Sequence, residues 1–126
     1  MTISSNIQAL HALGLSRQIG ANNIANMNTP GFKASRLTLE SGPHGRGVRP
    51  QSIDQDSSPG PVEPALEGVR DDQGRLETVW GVREGSNTDL VREMVLSLQD
   101  EAAFKANTTM IRTWDETLGS VLDVIA

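Results

Sequence analysis

The chain has 126 residues, which is enough for one domain and leaves no room for a second independent core. It contains no cysteine, which excludes disulfides, a thiol nucleophile and any cysteine-ligated metal centre. The net charge of −5 is unevenly distributed: residues 1–50 carry five basic and one acidic residue, whereas residues 51–126 carry six basic and fifteen acidic residues. The acidic total argues against nucleic-acid binding, and the division allows one half to attract the other half or a neighbouring copy.

Proline and glycine divide the chain into three parts. All six prolines lie between Pro30 and Pro64, whereas the first 28 residues and the last 40 contain none. This predicts a mainly α chain, with helical segments over 1–28 and 86–126 and a turn-rich, partly β middle over 29–85. No apolar run is long enough to span a bilayer, which predicts no direct membrane insertion, and the first six residues do not resemble a Sec signal peptide.

The first helix is predicted from Ser4 or Ser5 to Met27. A heptad-like stripe runs along it, with small residues at two positions where two backbones could approach closely. Its members are Ile3, Ile7, Leu10, Gly14, Arg17, Ala21 and Ile24. Pro30 and Gly31 end the helix, since proline disfavours helical geometry at the preceding residue.

The middle segment is predicted to contain two loops, over 41–47 and 57–64, where glycine, proline and serine cluster. One β-hairpin is predicted over 66–82, with its turn at 71–74. In its second arm Leu76, Thr78, Trp80 and Val82 share one face, because side chains alternate along a strand.

The last helix is the clearest prediction. Ser86 and Asp89 have the spacing of a capping box immediately before the apolar run that begins at Leu90, and no glycine or proline follows until Gly119. One helix over 88–125 would be about 57 Å long, whereas a compact chain of this size is only about 35 Å across. The chain therefore cannot cover this helix along its whole length, and other molecules must do so.

Two apolar stripes lie on different sides of this helix. The first stripe comprises Val91, Val95, Leu98 and Ala102, and the second stripe comprises Ile111, Trp114, Leu118, Val121 and Ile125. Their mean directions differ by roughly 160° at 100° per residue, so the buried face is predicted to change sides between residues 102 and 107. This favours different partners at the two ends, or a bend, although a helix that is buried all round in a small bundle is the alternative.

No constellation of catalytic or ligand-binding residues is found. His11 and His44 are the only histidines, and the start of a calcium loop at Asp54 fails because Pro59 and Ala65 replace the required glycine and glutamate. No phosphate-binding loop and no activated nucleophile are present. The sequence therefore predicts no enzymatic activity, no cofactor, no metal site and no small-molecule substrate.

Two segments resemble the terminal signatures of the flagellar axial proteins, which form the rod, the hook and the hook-associated structures. The first is Ala21-Asn-Asn-Ile-Ala-Asn-Met-Asn-Thr-Pro-Gly-Phe-Lys33. The second is Ser86-Asn-Thr-Asp-Leu-Val-Arg-Glu-Met94, followed by similar residues over 103–107 and 113–118. The short middle resembles the proximal rod proteins, FlgC-like most of all, because other members carry larger central domains. Departures are Glu101-Ala102, where the family usually has a Gln-Arg or similar pair, and Thr117, where it usually has methionine.

The resemblance implies that the two terminal helices pair like a coiled coil and that many copies polymerise into the periplasmic drive shaft of the motor. The asparagines and the Pro-Gly-Phe run would form the bend that leaves the first helix. Trp114, on the second stripe, is a candidate subunit contact because tryptophan is enriched at interface centres, and packing against the chain's own first helix is the alternative. The residues expected to serve this assembly are Asn22, Asn23, Asn26, Asn28, Pro30, Gly31, Phe32, Asn87, Asp89, Leu90, Val91, Met94, Val95, Leu98, Phe104, Asn107, Ile111, Trp114 and Leu118.

The implied partners are copies of the chain, other flagellar rod proteins and the flagellar type III export apparatus. The implied location is the basal-body rod in the periplasmic space, reached without a Sec signal. A small helical adaptor that does not polymerise, or a divergent rod or hook paralogue that binds one flagellar partner, remains the alternative.

Overall fold

The computed structural model describes residues 3–125, so Met1, Thr2 and Ala126 lie outside the described residues, with the corresponding ends of the predicted segments 1–28 and 86–126. Two helices flank a small antiparallel β region, as the sequence predicts. In chain order the elements are helix α1 (Ile3–Ala25), strand β1 (Ser35–Ser41), a short 3-10 turn (Pro43–Gly45), strands β2 (Val48–Gln55), β3 (Val62–Arg70) and β4 (Leu76–Glu84), and helix α2 (Leu90–Ile125).

The two helices lie side by side and antiparallel. Ser16 of α1 donates a hydrogen bond of 2.6 Å to Asp100 of α2, and Asn23 further along α1 bonds to Glu93, nearer the start of α2. At this offset Ile3 is level with about residue 113 of α2. Since α2 has 36 residues and α1 has 23, the end of α2 extends past α1 by about 18 Å.

The buried side of α1 is not the stripe that the sequence predicts. Ile7, Arg17 and Ala21 of that stripe are exposed, and the buried residues of α1 are Asn6, Ala12 and Asn23. The interpretation was wrong because periodicity arguments give weight to large apolar residues, whereas this helix buries small and polar ones against its neighbours. The helix also ends at Ala25, two residues before the predicted Met27.

Strands β1 and β2 form a hairpin that the sequence interpretation missed. Pro50 lies within β2, where proline argues against a strand, but both strands of a two-stranded ribbon are edge strands and tolerate it. The register shifts beside it, because Thr38 pairs with Ser52 and Leu39 pairs with Pro50, which leaves Gln51 as an extra residue. This hairpin packs along α1, whereas the predicted loop over 41–47 forms its turn.

Glycine allows that turn to lie directly on α1. Gly47 has a φ of +73°, and a side chain on it would meet the amide of Gln8 and the backbone of Ser5. Gly42 is buried at the other side of the same turn, beside Gln8 and the carbonyl of Arg46. Larger residues at these two positions would lift the hairpin off the helix.

Strands β3 and β4 form the second hairpin, which contains the hairpin predicted over 66–82 and extends it to Val62 and Glu84. The predicted loop over 57–64 is therefore shorter, because its last three residues belong to β3. The two strands contact each other extensively but pack extensively on neither helix nor on the first hairpin. The second hairpin consequently projects from the rest of the described chain.

The start of α2 differs from the predicted capping box. Asp89 is the N-cap, because its carboxylate accepts the backbone N–H of Arg92 at 3.2 Å, and the helix begins at Leu90 rather than at residue 88. The hydroxyl of Ser86 instead accepts the backbone N–H of Thr88 at 3.1 Å and forms a local turn before the helix. Two separate local hydrogen bonds, one in the turn at Ser86 and one at the N-cap Asp89, therefore take the place of the reciprocal pair of a capping box.

Candidate functional site

A polar junction joins α1, β1 and α2. Asn23 is fully buried, and its side-chain amide pairs with the backbone of Ser35 as a neighbouring strand would. The amide oxygen of Asn23 accepts the N–H of Ser35 at 2.9 Å, and its Nδ2 donates to the carbonyl of the same residue at 2.9 Å. An asparagine near the end of α1 therefore fixes where β1 begins.

Glu93 supplies the charge of this junction. Its side chain is only 1% exposed, and its carboxylate accepts hydrogen bonds from Nδ2 of Asn23 at 3.3 Å and from the guanidinium of Arg36. A side chain on Gly20 would come within 3.4 Å of this carboxylate, so the glycine leaves room for it. Burying a carboxylate is costly unless it is paired, and here both an amide and a guanidinium pair with it.

Asn87 ties three segments together just before α2. Its side-chain oxygen accepts the N–H of Ala34 at 2.7 Å, and its Nδ2 donates to the carbonyls of Asp56 and Ser58, both at 2.9 Å. Its backbone N–H donates to the carbonyl of Phe32 at 3.2 Å. One side chain thus connects the segment after α1, the segment after β2 and the start of α2.

Lys33 and Glu84 connect the base of the second hairpin to the same region. Nζ of Lys33 lies 2.5 Å from Oε1 of Glu84, which also accepts the backbone N–H of Gly60 at 2.7 Å. These hydrogen bonds, first from Lys33 and then from Gly60, lower the pKa of Glu84. The N–H of Gly31 donates to the carbonyl of Glu84 at 2.9 Å, so the turn after α1 also contacts the end of β4.

The remaining residues of the first signature form this turn. Nδ2 of Asn26 donates a hydrogen bond to the carbonyl of Asn22 at 2.9 Å, and Oδ1 of Asn26 accepts one from the hydroxyl of Thr29 at 3.2 Å. Gly31 has a φ of +66°, and Phe32 is half-buried after it. Asn28 and Pro30 are exposed, so they are available to other molecules.

The first stripe of α2 faces away from α1. Val91 and Leu98 are 71% and 66% exposed, and Val95 and Ala102 are also exposed. Leu90, Met94 and Phe104, elsewhere on the same half of α2, are exposed as well. An apolar surface of this extent on a surface helix is typical of a protein–protein contact.

The second stripe continues the side of α2 that faces α1. The least exposed positions of the paired half of α2 include Glu93, Leu96, Asp100, Ala103, Asn107 and Ile111. At 100° per residue they share the mean direction of the second stripe, which runs on past the end of α1. Leu118, Val121 and Ile125 are exposed there, and Trp114 is 39% exposed.

The predicted change of the buried side near residues 102–107 is therefore wrong. The side of α2 that faces α1 continues past the end of α1, where it is uncovered. The first stripe lies on the opposite side of α2. The paired half of the inner side mixes Leu96, Ala103 and Ile111 with two acids and an amide, so its apolar periodicity in the sequence is interrupted. The first stripe was mistaken for the inner side because it is the apolar one.

The sequence interpretation did not single out Glu93, Arg36 or Gly20. An acidic residue in a long helix is usually solvated, and no pattern in a single sequence marks this one as buried. Two buried polar atoms near the other end of α1, Nδ2 of Asn6 and Oε1 of Gln8, have no hydrogen-bond partner within residues 3–125. Unpaired buried polar atoms are rare in complete structures.

The described residues contain no cluster of histidine, aspartate and glutamate that could hold a metal ion. Within residues 3–125, neither helix combines the length and apolar character that crossing a membrane requires. The prominent features of this part of the chain are thus a polar junction and uncovered apolar surfaces.

Two family models match the chain, one at each end. Residues 18–33 match the model described as flagella basal body rod protein, and residues 81–124 match the model described as flagellar basal body rod FlgEFG protein C-terminal. No curated protein matches the chain significantly. The two matched segments meet in the structure, since Phe32 and Asn87, one from each, are hydrogen-bonded. Both ends of the chain are therefore similar to flagellar basal body rod proteins.

Proposed function

We propose that this chain is a structural subunit of the flagellar rod that polymerises through its terminal helices and transmits motor torque. The observation that carries the proposal is the apolar second stripe, which continues past the end of α1 on the side that α1 covers elsewhere. Exposed residues of this stripe, such as Leu118 and Ile125, need a covering surface. A further copy placed in line with α1 would supply it.

The first stripe provides the complementary surface. It lies at the other end of α2 and on its opposite side, so the second stripe of one copy can pack on the first stripe of the next copy without closing a dimer. A contact between two different surfaces generates a ring or an open helical filament rather than a closed pair. Pairing of α1 with α2 like a coiled coil, and the same packing between copies, are parts of this proposal.

The end of the molecule that carries Asn6 and Gln8 supports the same arrangement. Their unpaired polar atoms lie where α2 extends past α1, beside Asn107 and the turn of the first hairpin. A groove of about 550 Å³ is open there, lined by residues that include Asn6, Arg46 and Asn107. A neighbouring copy that covers the second stripe would also approach these atoms and offer them partners.

The two family matches support a place for this chain among flagellar basal-body components. We propose further that its partners are its own copies, other rod proteins and the flagellar type III export apparatus, and that it acts in the periplasmic rod without catalysis. The charge division supports assembly from oppositely charged surfaces, because the acidic second half can approach the basic first half of a neighbour. A proximal position, FlgC-like, is proposed from the short middle segment.

The test is to place an aspartate in each stripe separately. Val95→Asp and Leu118→Asp each put a charge into an apolar contact, so we expect each to abolish swimming and to leave basal bodies that end at the inner membrane. The measurements are motility in soft agar and electron microscopy of isolated basal bodies. The folded subunit should be retained, because both side chains are exposed in the single copy.

Gln99→Asp and Ser120→Asp are the matched controls. Each introduces the same charge at an exposed position of α2 outside the neighbouring stripe, and we expect normal motility from both. Normal swimming of the Val95→Asp or Leu118→Asp strain would show that the corresponding stripe is not an assembly surface. Loss of motility in the control strains as well would show that charge on α2, rather than the stripe, is responsible.

A further inference from the structure

Helix α2 carries a cluster of threonines that bond to its own backbone at the place where it leaves α1. The hydroxyls of Thr109, Thr113 and Thr117 donate to the carbonyls four residues earlier, at 2.9, 3.0 and 2.7 Å. Thr108 and Asn107 make the same kind of bond, at 2.9 and 2.8 Å. From residue 90 to residue 102, all of which the structure describes, no side chain of α2 bonds in this way.

Such bonds weaken a helix locally. A carbonyl that accepts a hydroxyl in addition to the helical N–H shares its hydrogen bond, and threonine bonded in this way destabilises and often bends a helix. Threonine also has a low helix propensity, because its branched side chain loses rotational freedom. Residues 108–117 contain four threonines, whereas residues 90–102 contain none. The segment around the threonine cluster is therefore the part of α2 that bends most easily.

Packing does not compensate for this weakness beyond the end of α1. Since Ile3 is level with about residue 113 of α2, the threonine cluster straddles the point at which α1 stops covering the inner side. Residues 112–125 are all exposed, and they include Gly119. Most of the stability of a helix in a protein comes from packing. The uncovered end of α2 lacks this support.

The threonine bonds also give the bend a direction. At 100° per residue, the accepting carbonyls of Lys105, Thr109 and Thr113 lie within about 10° of the mean direction of the first stripe and about 160° from that of the second. Carbonyls that bond outward tilt away from the helix axis, so their side becomes the convex one. The concave side is then that of the second stripe. The bonds of Asn107 and Thr108 lie away from the first stripe, at positions where α1 still lies beside α2.

We propose that residues 104–117 form a joint in α2, at which the uncovered end of the helix bends toward the side of its second stripe. A bend of about 20° at residue 113 would carry Asp123, roughly 15 Å further along the helix, about 5 Å toward the line of α1. The joint allows Leu118 and Ile125 to meet a covering surface at more than one angle. That use rests on the proposed function, whereas the joint itself is a property of the single chain.

The distance between two spin labels tests the joint within one molecule. The chain has no cysteine, so Ile7→Cys and Asp123→Cys, both at exposed positions, would carry the only labels. Mixing with unlabelled chains confines the measurement to pairs within one molecule. Thr109→Val, Thr113→Val and Thr117→Val together remove the hydroxyls and keep the branched shape. We expect the mean label distance to increase by about 2 Å and its distribution to narrow, because the helix straightens.

Serine at the same three positions provides the matched control. Thr109→Ser, Thr113→Ser and Thr117→Ser together retain the hydroxyls and remove only the methyl groups, so the bonds to the carbonyls persist. We expect the mean label distance to stay within about 0.5 Å of that of the parent chain. An equal increase in both triple variants, or a distance that the valines leave unchanged, would overturn the proposal.

Thr113→Val alone keeps the test decisive if the triple valine variant aggregates. Thr113 donates one bond through its hydroxyl and accepts another, from Thr117, through its carbonyl. We expect the single variant to give about half of the increase in label distance, in the same direction. A label distance equal to that of the parent chain would overturn the proposal.

These results separate the joint from the proposed function. If the valine variants lengthen the label distance while Leu118→Asp cells swim normally, the joint stands and the second stripe is refuted as an assembly surface. If the label distance is the same in the parent and valine variants while Leu118→Asp abolishes swimming, the joint is refuted and the rod function stands.

Discussion

The inner and outer surfaces of this chain are the reverse of those of an ordinary globule. The junction among α1, β1 and α2 buries Asn23 and Glu93, whereas the outer side of α2 and the second hairpin expose valine, leucine and tryptophan. Polar groups give direction and register to the inner contacts, because hydrogen bonds are satisfied in only one geometry. The apolar groups lie outside, where the proposed assembly would cover them. The comparison separates a polar inner junction, which orients the helices and β1, from apolar outer surfaces that the single chain leaves uncovered.

The largest expected effect comes from removing the buried carboxylate. Glu93→Ala leaves Arg36 and Asn23 without their partner in a buried place, so we expect the free energy of unfolding to fall by about 3 kcal/mol. Urea denaturation followed by circular dichroism measures this. Glu101→Ala is the matched control, since Glu101 pairs with Lys105 at the surface of the same helix and its removal should leave the free energy of unfolding almost unchanged. Equal losses of unfolding free energy in the two variants would show that the buried carboxylate of Glu93 stabilises the chain no more than an exposed one.

A smaller effect is expected at the three-segment contact of Asn87. Asn87→Ala removes hydrogen bonds to Ala34, Asp56 and Ser58, and we expect a loss of about 1–2 kcal/mol of unfolding free energy. Hydrogen exchange should then show faster exchange at the N–H of Ala34. Unchanged protection there would mean that water or backbone groups replace the amide.

Asn28→Ala provides the comparison for Asn87, because Asn28 is also an asparagine of a matched segment, the one at the other end of the chain, but is exposed. We expect it to leave the stability of the single subunit unchanged within about 0.5 kcal/mol. Its consequences, if any, should appear only in the assembled rod. A large loss of stability in the isolated Asn28→Ala subunit would contradict the division into inner and outer residues.

The smallest expected effect is a loss of local stability at acidic pH. Hydrogen bonds from Lys33 and Gly60 lower the pKa of Glu84, and hydrogen bonds from the side chain and backbone of Ser58 lower the pKa of Asp56. A lowered pKa means that the folded chain binds the proton less tightly than the unfolded chain does. The stabilisation is therefore present above the unfolded pKa and is lost as the pH falls through the folded pKa.

We expect the segments that Asp56 and Glu84 hold to loosen as the pH falls from about 5 through the lowered pKa values of these two carboxyl groups. Chemical shifts of the Gly60 and Ser58 amides, followed by NMR over this range, measure the loosening. With Glu84→Gln, the change at Gly60 should disappear while that at Ser58 remains. Persistence of the Gly60 transition in this variant would assign it to another group.

The sequence predicts the outline of the fold and misses its inner contacts. Both helices and the second hairpin follow from capping residues, apolar runs and alternation, which are local signals. The first hairpin was missed because Pro50 is a poor strand residue in general and is acceptable only on an edge. The inner side of α1 was missed because its buried residues, such as Asn6 and Asn23, have no apolar periodicity.

The assembly surfaces show the opposite pattern. Val95 and Leu118 are predicted contacts because apolar side chains recur at helical spacing, and the structure leaves both exposed. Their role between copies stays a prediction, since a single chain does not contain the partner. Glu93 could not be predicted, because its burial depends on Arg36 and Asn23, which lie 57 and 70 residues away in the sequence.

The hydrogen bonds that close the inner junction also determine when this chain can finish folding. Ser16 meets Asp100 across 84 residues, Asn23 meets Glu93 across 70, and Ala34 meets Asn87 across 53. Contacts so distant in sequence form late, because long loops must close before any bond rewards them. A chain leaving the ribosome therefore cannot complete this junction until about residue 100 has emerged. The contacts between α1 and α2 therefore form only after the paired part of both helices has been synthesised.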